Sequence, residues 1–157
     1  MMYSPYDKEK YPTRKNPRLK GYDYSTPNYY FVTICTHDRK QIFGGPKKIN
    51  RFGKIAEQAM VEIPDHYPGV KLDKYVVMPN HVHAILYLCG GTATLDNVIG
   101  SYKSHVSREI HKVDPEMKVW QSCFHDHIIR NQRSYEMIWL YIDENPVNWE
   151  KDCFYTP

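Results

Sequence analysis

Two histidines one residue apart, His81 and His83, lie at the end of an apolar run in VVMPNHVHAIL, residues 76–86. Alternate side chains of a strand share a face, so both imidazoles project to one side of a sheet while Val82 points into the opposite layer. The pair is either a set of metal ligands or two histidines that alternate outward by coincidence. A third ligand and a reacting group beside them would decide for chemistry. The last helical pattern, in QRSYEMIWLYIDENP, supplies candidates for both. Tyr135, Ile138, Trp139 and Ile142 follow i, i+3, i+4, i+7 spacing, and Tyr141 and Asn145, one turn apart, fall on the edge of that stripe. A phenol and an amide oxygen there either look into a cleft or shield the helix flank and cap it before Pro146. Of the 14 tyrosines, Tyr102 reads as core and Tyr75 and Tyr87 as strand residues near the histidines. Only Tyr141 has a candidate ligand one turn away.

A second pair, His125 and His127 around Asp126, is able to join His81 and His83 in a zinc site. Cys35, Cys89, Cys123 and Cys153 contain no C-x-x-C pair, which speaks for reduced thiols rather than a disulfide framework or a thiolate zinc centre. No G-x-x-x-x-G-K-[ST] loop is present, so P-loop nucleotide chemistry is excluded. Net charge is only +3, but Lys8, Lys10, Arg14, Lys15, Arg18 and Lys20 crowd the first twenty positions. Tyr3, Tyr6, Tyr11, Tyr22 and Tyr24 are interleaved with them. The segment is either an arm that sets cations on a nucleic-acid backbone and rings on unstacked bases, or a solvated tail.

The elements that must position these groups follow from periodicity. A strand is expected over 29–36, a helix over 51–66, strands over 72–78 and 81–88 with a kink at Pro79-Asn80, and a helix over 95–113. A fourth strand over 124–130 and a helix over 132–145, capped by Asn131 and stopped by Pro146, complete the set. The order β-α-β-β-α-β-α predicts an α+β, ferredoxin-like split β-α-β fold. It has an antiparallel sheet, helices on one face and an extra C-terminal helix that carries Tyr141. Length bounds this to one domain over 1–157, with an extended arm over 1–27 and a globular core over 28–157. No apolar run approaches the roughly 18 residues of a membrane helix, and the N-terminus lacks the apolar core of a secretory signal. The expected address is the cytoplasm.

The ordered set RLKGYDYS, YFVTICT, VVMPNHVH, GSYKSHVSREI, VWQSCFHDHIIRN and YIDENPVNW resembles the REP-associated tyrosine transposase group of the HUH single-tyrosine transposases. The resemblance covers most of the chain after the arm. It implies that His81-Val82-His83 is the HUH motif, that Tyr141 is the nucleophile and that Asn145 is the third metal ligand. It also implies cleavage and rejoining of single-stranded DNA beside a hairpin, through a 5′-phosphotyrosine intermediate. Two imidazoles and an amide oxygen, with no thiolate, suit Mg²⁺ or Mn²⁺. The family often has an acidic residue and a histidine where Asp126 and His127 stand, which casts His127 as support for the site or as a DNA contact; His125 is less usual there. Arg14, Lys15, Arg18 and Lys20 in the arm, and Lys103, Ser104 and Arg108 on the second helix, either meet phosphates or are simply solvated. The rival expectation is a hairpin-binding protein of the same fold that does not cut. Members of the wider group act as monomers or homodimers, and either state is open for this chain.

Overall fold

The structure is a computed structural model that describes residues 21–24, 26–91 and 93–157. Arg14, Lys15, Arg18 and Lys20 of the basic arm lie outside the described residues. The first strand, β1 (Asn28–Cys35, NYYFVTIC), is dense in aromatic and β-branched side chains and sits inside the sheet. It is followed by α1 (Arg51–Val61), α2 (Ile63–His66), β2 (Val70–Met78), β3 (His81–Leu88), α3 (Leu95–His111), β4 (His125–Ile129) and α4 (Gln132–Glu144). The four strands form one antiparallel sheet in the order β2-β3-β1-β4. That order, with α1–α2 and α3 as the two crossovers, is the expected split β-α-β plan.

The two faces of the sheet are covered by different helices. Tyr30, Val32 and Ile34 of β1 and Val82, Ala84 and Leu86 of β3 pack with Ala56, Met60, Val98, Ile99, Tyr102 and Val106 from α1 and α3. The other face carries Phe31, Ile85 and Ile129, which pack with Ile138, Tyr141 and Ile142 of α4. Burial of each of these isoleucines stabilises the docking of α4 by about 1.5–3 kcal/mol. A strand covered on both faces has no solvent side, which is why β1 and β3 read as nearly continuous apolar runs rather than alternating ones.

The helix expected over 51–66 is two helices. Pro64 lacks an amide hydrogen and its ring crowds the preceding turn, so the hydrogen-bond ladder breaks and α2 starts anew at Ile63. Asn131 caps α4 as expected, its side-chain oxygen accepting from the Ser134 amide at 2.8 Å. Among the described residues no helix is long and apolar enough to cross a membrane.

Candidate metal and nucleophile site

The residues expected to do chemistry are delivered by a tight hairpin and a helix end. Met78 and His81 pair directly, so Pro79 and Asn80, where a kink was expected between the two strands, form the tight two-residue turn of a β2–β3 hairpin. The loop after β1 pins that turn. The Asn80 carbonyl accepts from the Thr36 amide at 2.9 Å and from the Thr36 hydroxyl at 3.0 Å, and the Pro79 carbonyl accepts from the Phe43 amide at 3.1 Å. Cross-strand register then sets His81 opposite Cys35 and His83 opposite Thr33, both on the α4 face of the sheet. Cys35 is buried there, and burial pushes its thiol up to about 12, which leaves it a protonated packing group.

Both imidazoles are fully buried, and each is held by its Nδ1. The His81 Nδ1 donates to the Asn80 side-chain oxygen at 2.7 Å, and the Asn80 amide nitrogen is fixed in turn by the Phe154 carbonyl at 2.8 Å. The His83 Nδ1 lies 2.7 Å from the Thr33 hydroxyl. This bonding assigns the His81 proton to Nδ1 and turns both Nε2 atoms inward. Neither Nε2 has a hydrogen-bond partner among the described residues. Burial pulls the His81 imidazole down to about 4, only partly offset by the Asp152 carboxylate beside it. His83 is held well below the usual histidine value by its own burial first and by His81 second. Both rings are therefore neutral at pH 7 and present lone pairs.

The end of α4 meets them from above. Asn145, fully buried, donates its amide nitrogen to Asp152 Oδ2 at 2.6 Å, which leaves its own Oδ1 with no hydrogen-bond partner among the described residues. The His81 Nε2 lies 3.7 Å from the same Asp152 oxygen. Tyr141 is 1% exposed; its ring lies edge-on to His83, with centroids 5.3 Å apart, and its hydroxyl donates to Asp152 Oδ1 at 3.3 Å. Ligand atoms of His81, His83 and Asp152 lie within 4.8 Å of one another. The structure thus brings His81, His83, Tyr141 and Asn145 into one buried pocket of a single chain.

Other expected residues fall elsewhere. The pairing of His127 with Phe31 sets it, half-buried, on the same sheet face as the pocket, and His125 lies exposed beyond it. Among the described residues neither contributes an atom to the His81–His83–Asp152 cluster, so the zinc site shared by the two histidine pairs does not form. Lys103, Ser104 and Arg108 belong to α3, on the opposite side of the sheet; the Lys103 ammonium donates to the Gln121 carbonyl at 2.6 Å. Tyr102 is core, its hydroxyl donating to the Ala56 carbonyl at 2.9 Å. Tyr75 packs with the α1–α3 side, and Tyr87 stacks on Tyr29 with centroids 4.5 Å apart.

Asp152 and Phe154 were not expected from the pattern of the chain. After α4, a 3-10 turn (Trp149–Lys151) leads into a segment that crosses the pocket. The Asp152 carboxylate accepts from Asn145, Tyr141 and the Phe154 amide, and the Phe154 ring lies 4.9 Å from His81 and 5.8 Å from His83 between centroids. The Arg39 guanidinium stands 5.5 Å over that ring, and Gln41 donates to the Thr156 carbonyl at 2.7 Å. Buried Trp149 and Phe154 are the signal that a periodicity reading passes over: two large rings in a stretch too short for a helix.

An antiparallel four-stranded sheet with a histidine pair facing a tyrosine-bearing helix places the chain among ferredoxin-like α+β domains built around a polar pocket on the sheet. The particular family follows from comparison: the chain belongs to the family described as Transposase IS200 like, whose model matches residues 24–145. A relative from Haemophilus influenzae, described as an uncharacterized protein, is 30% identical over 168 residues, covering 91% of this chain and 93% of the relative. In fold, the chain is similar to a REP-associated tyrosine transposase solved bound to a REP hairpin, with TM-score 0.62 and 22% identity over 83% of this chain and 73% of that one. It is also similar to a Deinococcus radiodurans R1 protein described provisionally as a transposase, with TM-score 0.53 and 19% identity over 81% of this chain and 95% of that one.

Proposed function

We propose that this chain is a metal-dependent single-stranded DNA endonuclease and strand transferase that acts beside hairpin elements, with Tyr141 as nucleophile. The observation that carries the reading is the trio of buried polar atoms, His81 Nε2, His83 Nε2 and Asn145 Oδ1, that have no hydrogen-bond partner among the described residues. Buried acceptors without partners are costly, about 1–3 kcal/mol each, and a divalent cation is a partner that satisfies all three. Neutral imidazoles and an amide oxygen fit Mg²⁺ or Mn²⁺ bound together with water and a phosphate oxygen. When bound, the ion supplies Lewis-acid polarisation of the scissile phosphate.

The rest belongs to the chain. Asn80 and Thr33 hold the two imidazoles by Nδ1, so the ligand atoms keep their aim without substrate. The α4 helix, packed through Ile138 and Ile142, holds the Tyr141 hydroxyl at the same pocket. In the step, the Tyr141 oxygen forms a bond to phosphorus as the bond to the 3′ oxygen breaks. The product is a 5′-phosphotyrosine, and the proton lost by the phenol is balanced by the one gained by the 3′ hydroxyl. One phosphodiester replaces another, so the reverse step joins a new strand with no external energy source.

The segment from Trp149 to Thr156 must move for DNA to enter, because Phe154 and Asp152 fill the space over the imidazoles. The test is incubation with single-stranded hairpin oligonucleotides and Mn²⁺, followed by a denaturing gel. The wild type is expected to form a covalent adduct and Tyr141→Phe to bind without forming one. An adduct with Tyr141→Phe refutes the assignment. Hairpin binding by the wild type with no adduct under any divalent metal supports the non-cutting alternative.

A further inference from the structure

A second cluster of ligating side chains lies on the opposite side of the sheet. Glu62, at the junction of α1 and α2, and His66, in the last turn of α2, stand four residues apart on one helical face. His105 reaches them from α3. One ligand atom from each of the three lies within 4.8 Å of the others, and the two imidazole centroids are 6.3 Å apart. Among the described residues neither imidazole has a side-chain hydrogen-bond partner, while the Glu62 carboxylate is oriented by the Gln58 amide at 2.8 Å. The two histidines border a cleft of about 20 Å³ lined also by Ala59, Ile63, Tyr67 and Tyr102. That volume holds one water-sized occupant.

We propose that Glu62, His66 and His105 bind a borderline divalent cation of the Zn²⁺ class, at a site distinct from the His81–His83 pocket. Two imidazoles and one carboxylate are a zinc-type donor set that leaves a fourth position for water. Ligand atoms around such an ion sit about 3.3 Å apart, given metal–ligand distances near 2.0–2.1 Å. Reaching that from within 4.8 Å takes a rotamer adjustment, which exposed His66 and half-buried Glu62 and His105 are free to make. Mg²⁺, which keeps its waters and prefers oxygen ligands, does not suit the set. The consequence is mechanical. The α2 helix is a four-residue turn with no side-chain cap at its start, and an ion held by these three residues staples it to α3 across the cleft.

The test uses the full chain. Zn²⁺ is titrated calorimetrically into the wild type and into His66→Ala, His105→Ala and Glu62→Gln, with circular dichroism to confirm folding. Each variant is expected to lose one bound equivalent or to weaken it by about tenfold or more. At Zn²⁺ about a hundredfold above its dissociation constant for this site, the wild-type melting temperature should rise by roughly 5–10 °C more than that of His105→Ala. Mg²⁺ should give no rise that depends on His105. Co²⁺ in place of Zn²⁺ should give ligand-field absorption without a thiolate charge-transfer band. The proposal is overturned if wild-type protein takes up no Zn²⁺, if stoichiometry and affinity are the same in all four proteins, or if the Co²⁺ spectrum reports thiolate ligation.

Discussion

Acid should destabilise this protein through the same two imidazoles that form its pocket. In the unfolded chain a histidine takes up a proton near pH 6.5, but burial holds His81 neutral down to about 4. Between those values the unfolded state binds more protons than the folded one, so stability falls as pH drops from about 6.5 towards 4 and is level above that window. The slope is about 1.4 kcal/mol per pH unit for His81 alone, so moving from pH 7.5 to pH 5 removes about 2 kcal/mol. Burial shifts His83 in the same direction, so it adds to the loss over the same window. The assay is urea unfolding in EDTA at pH 7.5, 6 and 5. At about 2 kcal/mol per molar urea, the His81 share alone should lower the midpoint by roughly 1 M, and His83 should lower it further. The chain has eight histidines, so His81→Gln and His83→Gln are the necessary controls, and each should remove its own share of the slope. Mn²⁺ should raise the midpoint by a similar amount at all three pH values, since the folded rings are already neutral across this range. A midpoint level from pH 7.5 to 5, or an undiminished slope in both variants, would refute the reasoning.

Three further outcomes follow from the contacts. Asn145→Ala should abolish most of the rise in melting temperature produced by Mn²⁺ and lower stability by about 1–3 kcal/mol, because the Asp152 carboxylate loses its closest donor; an unchanged Mn²⁺ response would remove Asn145 from the ligand set. Phe154→Ala should speed adduct formation in single-turnover assays, since loss of about 2–3 kcal/mol of closed-state contacts raises the open population by roughly 30- to 150-fold. A slower reaction in a folded variant would mean that the ring serves the open state. Ile138→Ala should lower stability by about 2–5 kcal/mol in urea titrations, and a loss below about 1 kcal/mol would contradict the docking of α4 through this residue.

The sheet and its three long helices were legible because each carries a strong local period. The strand H-x-H put His81 and His83 on one face, and i, i+4 spacing put Tyr141 and Asn145 at one helix end, as the structure has them. The break at Glu62 was less legible because the apolar spacing runs on through Ile63 while Pro64 interrupts only the backbone ladder. Asp152 was invisible for a different reason. It lies seven residues beyond Asn145 in a stretch without regular structure, and its place is set by where Phe154 and Trp149 find cover, which is a tertiary event. The Asn80 contribution was hidden likewise: a turn residue reads as a turn residue until the histidine beside it needs an acceptor.

Asp152 also ties access to electrostatics. In the closed pocket its buried carboxylate engages Tyr141 and Asn145 and stands 3.7 Å from His81, so the space a phosphate would need is both filled and negatively charged. Withdrawal of the segment takes the carboxylate with the Phe154 ring, because the two residues belong to one turn, closed by Tyr155 N–H to the Asp152 carbonyl at 3.0 Å and by Phe154 N–H to Asp152 Oδ1 at 2.9 Å. What stays behind is two neutral imidazoles, an amide oxygen and a phenol, none of which repels a phosphodiester. On the proposed function, the movement that would make room for DNA would also remove the local charge that opposes it, and a variant that keeps the ring but loses the charge, Asp152→Asn, separates the two effects. If filling alone blocks the pocket, Asp152→Asn should form adduct no faster than wild type; if charge and its three hydrogen bonds hold the segment down, it should approach the rate of Phe154→Ala.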